Sequence, residues 1–141
     1  MTEQQRLSTV EKILFLKSVG IFAHAAIEEL GRIATLMQEV RFETGETIYR
    51  EGNPIDAIYV ILRGRLAVQS GGRVVREAGE HQVVGALAAL DLGSALRTVT
   101  ALEPVHALTL NVQDFQDLLA SDFALVKAVF RVVAQHIRTG F

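Results

Sequence analysis

The sequence of 141 residues contains no cysteine and carries almost no excess of either charge. A chain without thiols forms no disulfide, has no thiolate nucleophile and offers no zinc–thiolate site. Fourteen basic residues against sixteen acidic ones give a net charge of -2, so bulk electrostatics do not favour binding to a phosphate backbone. The longest apolar runs, such as 83–90, are far shorter than the roughly 20 residues that span a bilayer. General nucleic-acid binding and membrane insertion are therefore not expected.

The amino-terminal stretch 1–12 is polar and lacks the uninterrupted apolar core of a secretory signal peptide. A cytoplasmic location is therefore expected, for the chain alone or as the cytoplasmic domain of a larger protein. Half of the residues are hydrophobic and 21% are charged, which is typical of a folded domain and not of a disordered chain. No linker or low-complexity stretch is visible, so residues 1–141 are predicted to form one domain.

The region 1–37 carries the signals of two helices. Ser8 followed by Glu11 has the spacing of a capping box, which predicts a first helix that ends near Ser18. Between residues 24 and 37 the apolar side chains recur at spacings of three and four, the pattern of a second helix that buries one face. The amino-terminal part of the chain is therefore predicted to be helical.

The region 38–110 changes to the patterning of strands. Short runs rich in β-branched and aromatic residues are separated by glycines at which the chain turns, and a small-residue segment occupies 83–95. The clearest hairpin tip is 70–73, with two consecutive glycines. About eight short strands predict an antiparallel eight-stranded β-roll of the double-stranded β-helix or jelly-roll type. The strand-like runs are 40–42, 47–49, 58–62, 66–68, 74–75, 98–102 and 106–110.

Helical periodicity returns in the region 111–141. Asn111 is a suitable N-cap for one helix, and a last helix begins at 121–122 and runs to about Arg138. Apolar residues cover more of this last helix than the ~100° stripe of a helix packed on one side. Part of its surface is therefore predicted to face a second copy of the chain in a homodimer. The resulting fold class is α+β, with helices at both ends flanking the roll.

The stretch 42–68 carries a dense set of motifs within the strand region. Its sequence, FETGETIYREGNPIDAIYVILRGRLAV, contains F-x-x-G-E-x-I, then E-G, then D-x-x-Y-x-I, then G and V. This order resembles the cyclic nucleotide-binding domain family of catabolite-activator-type regulators, protein kinase A regulatory subunits and gated channels. The resemblance covers roughly the whole chain. The apolar side chains expected to fill the roll are Phe42, Ile48, Ile58, Val60 and Leu62.

The segment 84–99 departs from the pattern of this family. The family's phosphate-binding cassette reads approximately F-G-E-L-A, then a few residues, then R-x-A-T-V. The resemblance implies that its Glu bonds the ribose, its Arg pairs with the cyclic phosphate, and amides at the start of a short helix receive the anion. The matching segment here is VGALAALDLGSALRTV. Ala86 stands in the Glu position and Ala95 in the Arg position, so both polar anchors are missing.

Arg97 leaves two interpretations open. Positions two apart on a strand share a face, so Arg97 can point into the roll, where it needs an anion or a carboxylate as its partner. Alternatively, it is a solvated surface arginine, the commoner situation for this residue type. The ligand-binding residues that the resemblance and this argument predict are Gly85, Ala86, Leu87, Ala88, Arg97, Thr98 and Val99.

These residues predict a non-catalytic regulatory or sensor module with weakened or lost binding of cAMP and cGMP. The alternative is a functional domain that holds a cyclic nucleotide or another small anion through Arg97 and helix-start amides in a shifted pose. In the family, ligand binding repositions the closing helices, which transmits occupancy of the pocket to a partner. The residues expected to carry that coupling, or to form ordinary core, are Phe115, Leu118, Phe123, Val126, Val129 and Phe130.

Enzymatic and DNA-binding alternatives have less support in the sequence. A cupin-like metalloenzyme needs clustered histidines with a carboxylate, but His24, His81, His106 and His136 are scattered. No nucleophile has a recognisable acid–base partner, so no catalytic residue, metal site or cofactor is predicted.

The family's winged helix-turn-helix follows the long closing helix, and the residues up to Phe141 leave no room for one. The chain as it stands is therefore not expected to bind DNA.

Overall fold

Two four-stranded antiparallel sheets form the centre of the computed structural model, which describes residues 6–90 and 93–139. The strands in these ranges are β1 (Gln38–Phe42), β2 (Thr47–Tyr49), β3 (Ala57–Arg63), β4 (Leu66–Ser70), β5 (Arg73–Ala78), β6 (Val83–Val84), β7 (Thr98–Ala101) and β8 (Val105–Asn111). Their order is β1-β8-β3-β6 in the first sheet and β2-β7-β4-β5 in the second. The predicted α+β fold with an antiparallel eight-stranded β-roll is confirmed.

Most strands coincide with the runs predicted from the sequence. The hairpin predicted at 70–73 is confirmed by the pairing of Ser70 with Arg73. The exception is β6, which lies at the start of the small-residue segment 83–95 and pairs with Tyr59 and Val60 of β3. A strand of two residues is too short to show an alternating pattern, so periodicity does not reveal it.

Helices lie at both ends of the chain, as predicted, and one short helix interrupts the strand region. None of the helices in the described ranges is long and apolar enough to cross a membrane. They are α1 (Thr9–Leu16), α2 (Ile27–Leu36), α3 (Ala86–Leu90), α4 (Val112–Ser121) and α5 (Phe123–Thr139), and a 3₁₀ turn occupies Gly20–Phe22.

Capping side chains fix several helix ends. The Oγ of Ser8 accepts the amide of Glu11, while the Glu11 carboxylate accepts the amide of Ser8 at 2.8 Å, which completes the predicted capping box. Asn111 caps α4 by accepting an amide at 2.7 Å. The second helix begins at Ile27 and not at His24, because the residue before Ile27 is still extended, with a ψ of 154°.

The buried apolar side chains form two clusters that meet at β3. One joins the helices to the first sheet, and the other fills the space between the two sheets. Side chains alternate along a strand, so Ile58 and Val60 are fully buried in the helix cluster, where the partly buried Leu62 also packs. Only Phe42 and Ile48 of the predicted set pack against the cluster inside the roll. The sequence therefore predicted burial correctly but not which side of the sheet receives three of these residues.

Candidate functional site

A cavity of about 270 Å³ borders the second sheet, and we call it the roll cavity. Its wall is formed by side chains of the second sheet, by the segment from His81 to α3, by the loop before β7, by residues near the 3₁₀ turn and by α5. This volume is near the lower end of the ~300–1,000 Å³ that is typical of small-molecule sites. The fold thus brings the predicted cassette and the last helix to one concave surface.

The roll cavity collects six of the seven predicted ligand-binding residues. Its lining includes Gly85, Ala86, Leu87, Ala88, Arg97 and Val99. Thr98 is not part of this lining, and its hydroxyl accepts the backbone amide of Glu51 at 3.0 Å. Residues 91 and 92, which belong to the predicted cassette, lie outside the described residues. The structure therefore places most of the predicted set together and turns Thr98 away from it.

Gly85 allows the backbone to pass close to Tyr49 at the start of α3. Its φ is +95°, and an added Cβ would clash with the Tyr49 Oη. That hydroxyl donates to the carbonyl of Ala57 at 2.5 Å and lies 3.3 Å from the carbonyl of Val84. Burial, with smaller contributions from Tyr59 and Asp56, raises the pKa of Tyr49, so the phenol remains a donor at neutral pH. These contacts hold the beginning of α3 in place.

The two positions that the resemblance assigns to polar anchors present only methyl groups to the roll cavity. Ala86 and Ala95 both line its wall, and Ala95 is 5% exposed. The backbone of Ala95 is held by two hydrogen bonds, from its amide to the carbonyl of Asn53 at 2.8 Å and from the amide of Gly52 to its carbonyl at 2.9 Å. The backbone at this position is therefore well ordered, while neither alanine side chain can bond a sugar or a phosphate.

Arg97 is the cassette residue with an unsatisfied polar group. Its side chain lines the roll cavity and is half-buried. One Nη donates to the carbonyl of the adjacent Leu96 at 3.0 Å. The Nε is buried and has no acceptor within the part of the chain that the structure describes. The side chain is therefore neither fully solvated nor paired with a described carboxylate.

Arg76 is a second cation in the roll cavity, and no motif in the sequence indicates it. Arg76 lies on β5 opposite Val68 of β4, and Val68 in turn lies opposite Val99 of β7. These three side chains therefore form a row on one face of the sheet, the face that lines the cavity. Burial and the positive charge of Arg97 lower the pKa of Arg76. Both guanidinium groups thus border the same cavity.

The roll cavity has a positive electrostatic character. No aspartate or glutamate is among the described residues that line it, whereas Arg76 and Arg97 both do. No described carboxylate forms an ion pair with either arginine. Most of the remaining wall is apolar, including Val68, Val99 and three valines of α5. Such a surface favours a ligand with an anionic group and an apolar body.

His81 connects the roll cavity to the amino-terminal helix. Its ring lines the cavity and stacks on Phe15 at a centroid distance of 4.8 Å. Its Nδ1 lies 2.6 Å from the Oγ of Ser18.

His106 instead lies 2.8 Å from a carboxylate oxygen of Glu39. Across residues 6–90 and 93–139, no three residues of the types that bind metals are grouped together.

The last helix contributes to the roll cavity with one face and to the surface with another. Val129, Val132 and Val133 line the cavity, whereas Phe123 and Phe130 are 73% and 63% exposed. The residues predicted to couple the pocket to the helices therefore separate into two groups. Phe115, Leu118 and Val129 are buried, Val126 is half-buried, and Phe123 and Phe130 face solvent.

Known proteins provide an independent comparison for this arrangement. Residues 39–122 match the family model described as the cyclic nucleotide-binding domain. The cAMP-dependent protein kinase regulatory subunit of Dictyostelium discoideum is 30% identical over 112 residues, which cover 74% of this chain and 34% of that protein. A CRP-like cAMP-activated global transcriptional regulator of Mycobacterium tuberculosis is 24% identical over 128 residues, 87% of this chain and 57% of that protein. The chain thus spans only part of the length of these relatives.

Solved structures show the same fold. A regulatory subunit of a cAMP-independent protein kinase A from Trypanosoma brucei, a mutant with cAMP in its A site, aligns with a TM-score of 0.78. The alignment covers 88% of this chain and 46% of that one, at 24% sequence identity. Because the family model spans more than half of the chain, including nearly all of the eight strands and the cassette segment, this protein belongs to the cyclic nucleotide-binding domain family.

Proposed function

We propose that the chain is a non-catalytic regulatory module that binds cAMP and cGMP more weakly than a domain with both polar anchors of the family cassette. The observation that supports this is the chemistry at two positions of the roll cavity, where Ala86 and Ala95 present only methyl groups. A methyl group neither accepts a hydrogen bond from a ribose hydroxyl nor pairs with a phosphate. A cyclic nucleotide in this cavity would lack both contacts.

The size of this loss follows from the strength of charge-assisted hydrogen bonds. Each such contact contributes about 1.5–3 kcal/mol. Losing two of them weakens binding by on the order of a hundredfold or more. A domain that would otherwise bind at micromolar concentration therefore binds near millimolar concentration.

Isothermal titration calorimetry of the purified chain with cAMP and with cGMP tests this proposal. We expect dissociation constants near millimolar or no measurable heat, because both polar anchors are absent. A low-micromolar dissociation constant for either nucleotide would contradict the proposal. The thermal stability of the same sample, measured beforehand, establishes that the titrated protein is folded.

A second candidate function is a domain that retains binding of a cyclic nucleotide or another small anion through Arg97. The buried and unpaired Nε of this side chain supports it, because a bound anion would supply the missing acceptor. For any anion that binds, we expect the Arg97→Ala variant to lose about tenfold or more in affinity. Arg63, an exposed arginine at the end of β3, provides the control variant Arg63→Ala. An unchanged isotherm for Arg97→Ala would exclude this pose.

We also propose that the chain forms a homodimer through α5. Phe123, Phe130 and Ile137 lie seven residues apart on α5 and are 73%, 63% and 65% exposed. Apolar residues at seven-residue spacing form one stripe along a helix, and such a stripe can pack against its own copy. The homodimer predicted from the sequence would bury these three side chains.

Light scattering at micromolar concentration tests the homodimer. We expect the mass of a dimer for the wild-type chain and of a monomer for Phe130→Glu, because a carboxylate in the centre of the stripe would be buried without a partner. Leu14, 64% exposed on α1, provides the control, and Leu14→Glu is expected to remain dimeric. A monomeric wild-type chain would contradict the proposal.

A further inference from the structure

Arg76 reaches the roll cavity from β5, and Arg97 reaches it from the bend that precedes β7. Arg76 lies in the cross-strand row with Val68 and Val99. Arg97 is the residue directly before β7, at the end of the loop that lines the cavity. Both arginines line the cavity. The two side chains thus meet at one cavity, and their placement does not depend on the helix-start amides of the cassette.

The two guanidinium groups remain without counter-charge in the described part of the chain. Neither forms an ion pair there with a carboxylate, and Arg97 keeps a buried Nε without an acceptor. Arginine stays protonated at neutral pH, so both positive charges persist. Two half-buried like charges repel each other, and an anion between them removes that repulsion and supplies acceptors for both.

The charge of the anion decides which ligand fits best. A cyclic phosphodiester carries a single negative charge and neutralises one arginine. A phosphate monoester carries about -1.5 to -2 charges at pH 7 and has three acceptor oxygens, so it neutralises both. The rest of the wall, with Val68, Val99 and the valines of α5, offers apolar contact to an organic body. No carboxylate among the described lining residues opposes a dianion.

We propose that the roll cavity prefers an organic phosphate monoester, held between Arg76 and Arg97, over a cyclic phosphodiester of the same body. This inference rests on the proposed function, in which cAMP binds weakly, and on the second candidate function, in which Arg97 holds an anion. It adds Arg76 as a second binding residue and defines the class of ligand. Arg76 lies between the stretches 42–68 and 84–99 that carry the resemblance to the family.

Adenosine 5′-monophosphate and cAMP are matched probes, because they share base and sugar and differ in the charge of the phosphate. Calorimetry and thermal shift of the 141-residue chain are expected to show binding of the monoester at least about tenfold tighter than that of cAMP, the effect of one additional charge-assisted contact. Phenyl phosphate, a monoester with a different apolar body, is expected to raise the melting temperature as well. Inorganic phosphate serves to measure the contribution of the ion alone.

Substitution of Arg76 separates the two-arginine site from a site made by Arg97 alone. In Arg76→Gln the preference for the monoester over cAMP is expected to disappear, while the Arg73→Gln control retains it. Arg73 lies on the same strand as Arg76 but is exposed at the hairpin. Melting curves without ligand check that both variants are folded.

Each outcome bears on one of the two proposals. Equal or tighter binding of cAMP than of the monoester, or no response to either monoester, would overturn the monoester inference. Binding of the monoester that requires Arg97 but is unchanged in Arg76→Gln would also overturn it, while leaving the Arg97 anion site intact. Low-micromolar binding of cAMP by the wild-type chain would instead contradict the proposed function itself.

Discussion

The double variant Ala86→Glu/Ala95→Arg is expected to bind cAMP about a hundredfold more tightly than the wild-type chain, or better. Both alanines line the roll cavity, so the new carboxylate and guanidinium enter the space in which a cyclic nucleotide would lie. Two charge-assisted contacts of about 1.5–3 kcal/mol each account for the gain. The pair leaves the net charge unchanged, and the introduced carboxylate offsets the repulsion between the introduced guanidinium and Arg97. Calorimetry with cAMP measures the effect.

A variant of similar size without the charges provides the control for this gain. Ala86→Gln/Ala95→Met fills comparable volume but offers neither a carboxylate nor a guanidinium, so it is expected to show little increase in affinity. If the charged double variant retains the melting behaviour of a folded domain and still binds cAMP no better than the wild type, the missing anchors are not the cause of weak binding.

Gly64→Ala is expected to lower the free energy of unfolding by about 3 kcal/mol or more, from positive-φ strain and a backbone clash together. Gly64 has a φ of +103°, and an added Cβ would lie 2.5 Å from the carbonyl oxygen of Pro104 and 2.9 Å from the Cα of Val105. These are backbone atoms at the beginning of β8, and they cannot move without disturbing the pairing of that strand. Urea denaturation followed by circular dichroism gives the free energy.

Gly45 separates the two causes of this destabilisation. Its φ of +88° is similarly unfavourable for alanine, but apart from its two chain neighbours no described residue places an atom within 4 Å of an added Cβ. Gly45→Ala is therefore expected to cost only about 1–2 kcal/mol, the strain of the left-handed conformation. Equal losses for the two variants would show that the close approach to Pro104 contributes nothing.

Local patterns in the sequence were sufficient to predict most of the fold. The Ser8–Glu11 capping box, the Asn111 cap and the hairpin at 70–73 each depend on a few neighbouring residues, and the structure contains all three. The same holds for most strands, because a half-buried strand shows its periodicity directly. The predicted start of α2 was wrong by three residues, because helix boundaries depend on the conformation of residues outside the periodic pattern.

The composition of the site depended more on tertiary structure. Thr98 matched the cassette motif, yet strand alternation places it on the face opposite Val99, where it bonds Glu51. Arg76 could not be found from hydrophobicity, because Val74 and Val75 beside it are 56% and 44% exposed while the charged residue lines the cavity. The register of the β4–β5 pairing also shifts between Val68 and Gln69. The face on which these side chains lie can be predicted only when the pairing of each strand with its neighbours is known.

The placement of α5 has a thermodynamic consequence. One side of this helix touches whatever occupies the roll cavity, and its exposed aromatic residues are the proposed contact to a second copy. If occupation of the cavity changes the position of α5, the two equilibria are linked, and the linkage is reciprocal. Dilution of the protein would then change its apparent affinity for the small molecule. Saturation with that molecule would shift the monomer–dimer constant by the square of that factor, because a homodimer holds two cavities.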